Sequence, residues 1–239
     1  MKQAKERLIL ALDTHEKDYA IEIVDRFDGF IDIFKVGLEL FTSAGPSVIE
    51  EIHKRGKRVF LDLKFHDIPN TMARAGQAAA RMGVFMFNVH SSSGFEAMRR
   101  VAADVVELCL KENLNRPRML GVTVLTSMSQ DELKELGIQH SLKTQVKHLA
   151  ILAQKAGLDG VVASAQEIEA IRGHCGERFI ITTPGIRPSW SPPDDQKRTV
   201  TPRKAIHLGA DFIVLGRAVL AQPDPVKALE LISLEIMTA

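Results

Sequence analysis

The chain of 239 residues is short of several things, and each shortage excludes something. It has only two cysteines, Cys109 and Cys175, far apart and outside any C-x-x-C or Cys/His cluster. A disulfide framework and a zinc site are therefore poor readings, and two free thiols suit a reducing cytoplasm. No apolar run approaches the ~18 residues that a membrane-crossing helix needs. Met1 to Arg7 is charged and lacks the apolar stretch of a signal peptide, so no export is expected. Net charge is only +1, and no basic patch is interleaved with aromatics, so nothing points to nucleic acid or an anionic membrane as partner. No G-x-G-x-x-G follows the first apolar run, where Asp13-Thr14-His15 stands instead. No linker divides the chain.

What is present is a rhythm of short apolar runs and longer amphipathic stretches. The runs are Leu8 to Leu12, Ile31 to Phe34, Arg58 to Leu61, Val84 to Val89, Met119 to Leu125, Gly160 to Ala163, Phe179 to Thr182 and Asp211 to Leu215. Such nearly continuous apolar runs fit parallel strands buried on both faces. Between them, Ser47 to Lys54, Val101 to Leu110 and Val146 to Ala156 carry helical apolar stripes, with Gly56 and Gly157 placed to end two of them. Eight strands alternating with helices predict an α/β fold, a single (β/α)8 TIM barrel over residues 1–239. An open doubly wound sheet is the alternative. Gly185 to Thr199, rich in proline and polar residues, is the one long irregular stretch and reads as a lid or binding loop. Ser127 to Ser141 is a shorter excursion with room for a turn or two of helix.

In such a barrel the chemistry gathers at the C-terminal ends of the strands. The polar residues there are Asp13, Lys35, Asp62, Lys64, Asp67, His90, Thr126, Arg187 and Arg217. Strand periodicity places Asp62 and Lys64 on one face. Charges packed into a barrel mouth are costly unless they pair, so this set is either an ion-pair network capping the barrel or a functional site. Gly216–Arg217 after the last strand suits a phosphate: glycine lets backbone N–H groups approach, and an arginine fork matches the oxygens. Arg187 converges on the same region.

The third strand and its loop read Leu61-Asp62-Leu63-Lys64-Phe65-His66-Asp67-Ile68-Pro69-Asn70-Thr71. This D-x-K-x-x-D followed by I-P-N-T resembles the bacterial signature of the orotidine 5′-monophosphate decarboxylase family. Further ordered blocks resemble the same family: Leu10 to Asp13, Phe34 to Gly37, Val122 to Ser127, Thr183 to Pro188 and Val214 to Arg217. A lone D-x-K-x-x-D is weak; six blocks in order along nearly the whole chain are specific.

The resemblance implies removal of carbon dioxide from C6 of orotidine monophosphate, leaving uridine monophosphate in de novo pyrimidine biosynthesis. No cofactor and no metal is implied. It makes Lys64 the proton donor to C6, with Asp62 beside the substrate carboxylate, and Asp62, Asp67 and Lys35 completing an alternating charge chain. It assigns Asp13 and Lys35 to the ribose, and Thr126 and Ser127 to the amide edge of the pyrimidine. Pro184, Arg187, Gly216 and Arg217 fall in the substrate-binding blocks, and Gln196 matches a lid residue that reaches the phosphate. It also implies a homodimer in which Asp67 and Thr71 are given by the partner subunit.

Several residues carry a plainer expectation. His66 reads as a positioning or interface residue and His90 as structural, and the other histidines lack metal-site spacing. Trp190 covers the closed site from the lid loop, Cys109 is a core residue, and Ser91-Ser92-Ser93-Gly94 reads as a helix N-cap. The nearest rival is a magnesium-dependent sugar-phosphate decarboxylase or synthase, which shares D-x-K-x-x-D but not I-P-N-T, T-P-G-I-R-P or the long lid. A non-catalytic phosphate-sugar-binding barrel would be expected to lose Lys64 or an aspartate of the chain, and all are present.

Overall fold

A computed structural model describes residues 5–190 and 200–237. Its parallel strands close into a barrel in sequence order: β1 (Leu8–Leu12), β2 (Ile33–Gly37), β3 (Arg58–Phe65), β4 (Met86–His90), β5 (Arg118–Val122), β6 (Gly160–Val162), β7 (Ile180–Thr183) and β8 (Phe212–Leu215), with β8 returning to β1. The fold is thus the expected (β/α)8 barrel.

Alternation along each strand builds two cores. Ile9, Ala11, Ile33, Phe60, Met86, Leu120, Phe212 and Val214 fill the barrel itself. Their neighbours, such as Leu8, Leu10, Phe34, Val36, Leu61 and Phe87, face the surrounding helices. Both faces are dry, which is why the strands read as continuous apolar runs. The helices α1 (Lys17–Arg26), α2 (Leu38–Ala44), α3 (Ser47–Lys54), α4 (Pro69–Arg81) and α5 (Phe95–Glu112) cover the first half. In the second half come α6 (Gln130–Glu135), α7 (Leu142–Lys155), α8 (Ile168–Cys175), α9 (Pro202–His207), α10 (Arg217–Leu220) and α11 (Pro225–Met237). Among the described residues no helix is long and apolar enough to cross a membrane.

Strand ends differ from expectation by a few residues, because hydrogen-bonding partners set them and apolar character does not. The N-cap expected within Ser91 to Gly94 is Gly94 itself, with φ 92° and no side-chain cap, and Ser91–Ser93 before it forms a 3-10 turn. Ser93 instead donates to the His90 carbonyl at 2.6 Å.

The N-terminal face is held by paired devices. Asp159, just before β6, accepts the Met119 N–H of β5 at 2.8 Å and is gripped by Arg116. Asp211, just before β8, accepts the Ile181 N–H of β7 at 2.8 Å and meets Arg172 at 2.6 Å. Arg172 also donates to the carbonyls of Gly209, Gly176, Glu177 and Phe179, tying the loop after α8 to the start of β8. Inside the barrel floor, the guanidinium groups of Arg58 and Arg118 lie 4.3 and 4.5 Å from the Phe85 ring centroid. Such stacking lets arginine stems close the barrel bottom while their charge faces water.

Gly160 marks the tightest strand contact. It sits in register with Ile180, and a Cβ there would overlap the Ile180 carbonyl oxygen. Because that oxygen is backbone in a closed sheet, it cannot rotate away. Gly160→Ala should therefore lower stability by at least about 2 kcal/mol through overpacking, read as a lower urea midpoint at unchanged slope. An unshifted midpoint would show that β6 and β7 can part freely.

Candidate active site

The C-terminal ends of β1, β2 and β3 carry three inward positions one step above the apolar layer: Asp13, Lys35 and Asp62. Lys35 Nζ meets Asp13 Oδ1 at 2.9 Å and Asp62 Oδ2 at 3.4 Å. Lys64 Nζ donates to Asp62 Oδ1 at 2.8 Å. Asp13, Lys35, Asp62 and Lys64 thus alternate in sign along one chain. Lys35 and Asp62 are buried, and Lys64 is half-buried. Gly37, the next inward position on β2, leaves room for this: a Cβ there would come to 3.0 Å from Lys35 Nζ.

Burial by itself pulls the Lys35 ammonium down, but the charges of Asp62 and Asp13 more than reverse that, and its pKa stands above the ordinary 10.5. The group is held as a cation throughout the neutral range.

Simple strand alternation does not explain how Lys64 reaches Asp62. The β3–β4 register jumps between Leu61↔Phe87 and Phe65↔Val89, a bulge that inserts extra residues into β3. Lys64 sits in it with φ 52°, one of two described non-glycine residues at positive φ. A left-handed conformation at lysine costs on the order of 1–3 kcal/mol and marks a site where structure overrides preference. The bulge is what re-aims Lys64.

Sequence reasoning missed Asn88. It lies in the middle of β4, fully buried, with its Oδ1 accepting the Lys64 N–H at 2.8 Å and its Nδ2 donating to Asp62 Oδ1 at 2.6 Å. Its signal was a lone amide on the inward face of an apolar strand, between Met86 and His90. His90, above it, packs its ring 5.3 Å from that of His66. Burial, then the charges of His66 and Lys64, lower the His90 pKa, which keeps it neutral near pH 7.

Two hollows adjoin this chain and share Lys35, Pro184 and Val214. One, of about 150 Å³, runs past Asp62 and Lys64 to Val122, Val124, Leu125 and Thr126. Its walls are mostly aliphatic. The other, of about 130 Å³, is bounded by Asp13, Gly185, Arg187, Gly216 and Arg217. Arg187 and Arg217 come from the loops after β7 and β8, and both belong to this second hollow. Gly216 lies close under Asp13, whose Oδ2 would stand 3.5 Å from an added Cβ. One hollow is therefore mostly aliphatic and ends at a lysine; the other is lined by two arginines.

Three of the expected site residues lie elsewhere. Ser127 is exposed beyond Thr126 and lines neither hollow. Asp67 is exposed, and its Oδ1 accepts the Ile68 N–H at 2.6 Å, so within one chain it does not meet Lys64. Thr71 is exposed in the first turn of α4. Gln196 lies outside the described residues. Among the described residues no group of three or more potential metal ligands comes together.

Lys35→Met would leave Asp13 and Asp62 facing each other without their shared cation. The loss should be on the order of 2–3 kcal/mol, since Asp62 keeps Lys64 and Asn88 as partners. A raised lysine pKa contributes stability that is whole below about pH 10.5 and fades as pH climbs through the folded value. Urea midpoints of the two proteins should thus differ by a constant amount near neutrality and converge only in strong alkali. Equal stability at neutral pH would mean that the pairing with Lys35 contributes nothing.

The chain matches the family model described as Orotidine 5'-phosphate decarboxylase / HUMPS family over residues 6–232. It is 50% identical over 228 residues to the orotidine 5'-phosphate decarboxylase of Syntrophomonas wolfei, covering 95% of each chain. It is 47% identical over 234 residues to that of Moorella thermoacetica, covering 98% of this chain and 93% of the relative. Among solved structures, orotidine 5'-phosphate decarboxylase from Lactobacillus acidophilus superposes with a TM-score of 0.85 at 33% identity, covering 97% of this chain and 99% of that one. With the charge chain on β1 to β3 and these full-length likenesses together, the chain belongs to the orotidine 5'-phosphate decarboxylase / HUMPS family.

Proposed function

We propose that this chain decarboxylates orotidine 5′-monophosphate to uridine 5′-monophosphate and carbon dioxide, as a cytoplasmic enzyme of pyrimidine biosynthesis working without a cofactor. Residues 1–239 act as one catalytic domain. The observation that carries the reading is the pair of adjoining hollows: an aliphatic one ending at Lys64 and Asp62, and one with two arginines.

The substrate's parts divide between them. The phosphate takes Arg187, Arg217 and the Gly216 backbone, and the resemblance adds Gln196, which lies outside the described residues. The ribose lies over Asp13 and Lys35, the second of which borders both hollows. The pyrimidine enters the aliphatic side past Pro184, with its amide edge toward Thr126 and Ser127, whose hydroxyl and backbone groups can both donate and accept. C6 and its carboxylate then face Asp62 and Lys64.

When the bond from C6 to the carboxylate breaks, carbon dioxide leaves and the electron pair stays at C6. No neighbouring carbonyl can delocalise that pair, so stabilisation must be electrostatic. The Lys64 ammonium supplies it and then transfers its proton to C6; the amine is reprotonated from solvent. Asp62 holds Lys64 in place and lies near the departing carboxylate, which disfavours the bound ground state. Binding at the remote phosphate hollow provides energy that is expressed at C6.

The reading includes a homodimer, with Asp67 and Thr71 reaching the partner's site. Asp67 is turned to solvent within its own chain, and Leu38, Ile68 and Phe95 stand exposed on the segments after β2, β3 and β4, around that same rim. Such a run of apolar side chains is suited to cover by a second copy.

The test is a spectrophotometric assay on orotidine monophosphate with EDTA throughout. Rapid loss of the orotate absorbance is expected. Silence there, with turnover of a keto-sugar phosphate once magnesium is restored, would favour an enediolate reaction instead. Lys64→Ala should abolish turnover, whereas Arg217→Ala should chiefly raise KM; near-normal turnover by the first would remove Lys64 as donor. Mixing Lys64→Ala with Asp67→Ala subunits and letting them exchange should restore about a quarter of wild-type activity, since half the dimers then hold one complete site. No recovery in verified mixed dimers would place Asp67 within its own chain's site.

A further inference from the structure

Asn88 is a buried amide for which barrel packing alone offers no reason. It is 0% exposed in a strand whose inward neighbour below is Met86, and opposite it in register lies Leu120. An apolar residue would fill that place at lower desolvation cost. Both halves of the amide are nonetheless committed. The Lys64 backbone N–H can only donate, so it fixes the Asn88 oxygen; the Asp62 carboxylate, as a salt-bridge acceptor, fixes the nitrogen. The amide therefore has one orientation, and in it one side chain bridges the two ends of the bulge.

We propose that Asn88 is a positioning residue for the decarboxylation: it locks the left-handed turn at Lys64 and the carboxylate of Asp62 into one rigid unit, so that the ammonium is held on target as the carbanion forms. This rests on the function proposed above. The Lys64 backbone has no reason of its own to stay at φ 52°. Its N–H is tied to Asn88 at 2.8 Å, whereas Asp62 has a second anchor in Lys35 at 3.4 Å. Asn88 lines neither hollow, so its effect belongs on the chemical step and not on substrate affinity.

Two variants separate this role from space filling. Asn88→Leu keeps the volume and removes both hydrogen bonds. It should lower kcat by about a hundredfold, the scale set by an ångström of misplacement, with KM within about threefold of wild type. Asn88→Asp keeps the shape. Ionised, the introduced carboxyl accepts from the Lys64 N–H but opposes Asp62; protonated, it can accept and donate as the amide did. Burial and the Asp62 charge push its pKa above the usual carboxyl range. The charged and titratable groups facing it are Asp62 and Lys64 on β3, Lys35 on β2 through Asp62, and His90 on its own strand. All are present in the wild type, so the ratio of variant to wild-type kcat isolates the new group. That ratio should rise about tenfold or more between about pH 8 and about pH 5. A flat ratio, or an Asn88→Leu protein with kcat within about threefold of wild type, overturns the proposal.

The wild type is assayed alongside. If it fails on orotidine monophosphate, the functional reading falls and the positioning claim is read by crystallography alone. In the Asn88→Leu crystal structure Lys64 should leave the left-handed region and Nζ should part from Asp62. An unmoved Lys64 overturns the proposal without any assay. Should Asn88→Leu fail to fold, the Asn88→Asp protein carries both readouts.

Discussion

A carboxylate taken out of water weakens a fold by several kcal/mol unless cations and donors meet it. Asp62 is such a carboxylate, placed at the mouth of a barrel whose next layer down is aliphatic. Its two oxygens are met from three strands: Lys35 from β2, Lys64 from its own bulge and Asn88 from β4. Most of what is unusual in this chain follows from that requirement. Gly37 leaves the space through which Lys35 bends, Asp13 shares the same ammonium, and β3 breaks its register so that Lys64 can turn back. The raised pKa of Lys35 is the same fact seen from the cation's side.

Strain and stability are divided between the two ends of the barrel. The N-terminal face carries the devices that hold strands together: Asp159 and Asp211 each grip the neighbouring strand, Arg172 gathers backbone carbonyls, and Arg58 and Arg118 stack on Phe85. None of these residues lines the hollows at the other end. The C-terminal face holds the left-handed Lys64, the buried ion chain and the exposed apolar rim. A closed sheet tolerates this because its ladder has no free edge, so a bulge at the top of β3 is local.

The strand order was legible because parallel strands buried on both faces must be apolar throughout, and eight such runs stood at helix-length intervals. Their ends were not, since a strand stops where its ladder partners stop: Ile31 and Asp32 precede β2, although apolar character began there. The ion chain was legible because lysines and aspartates at strand ends have few other uses. How Lys64 meets Asp62 was not. Alternation gave the right neighbours for the wrong reason, as the bulge is invisible to a period of two. Asn88 was hidden because one amide in an apolar strand has no pattern. The resemblance assigned Asp67 and Thr71 to a partner's site; within one chain both are exposed, at and just before the first turn of α4.

The two hollows share Lys35, Pro184 and Val214, and on the proposed function that shared wall joins the recognition side to the reacting side. Lys35 touches Asp13 on the arginine side and Asp62 on the aliphatic side. Any ligand group that engages Asp13 therefore acts on the same ammonium that neutralises Asp62. A displaced Lys35 would leave Asp62 less compensated and bias it toward Lys64. Asp13, Lys35, Asp62 and Lys64 thus form a chain of four side chains in direct contact. On the proposed function, this gives the ribose seated over Asp13 and Lys35 a physical route to the reacting carbon, while the phosphate positions the ring from its own hollow.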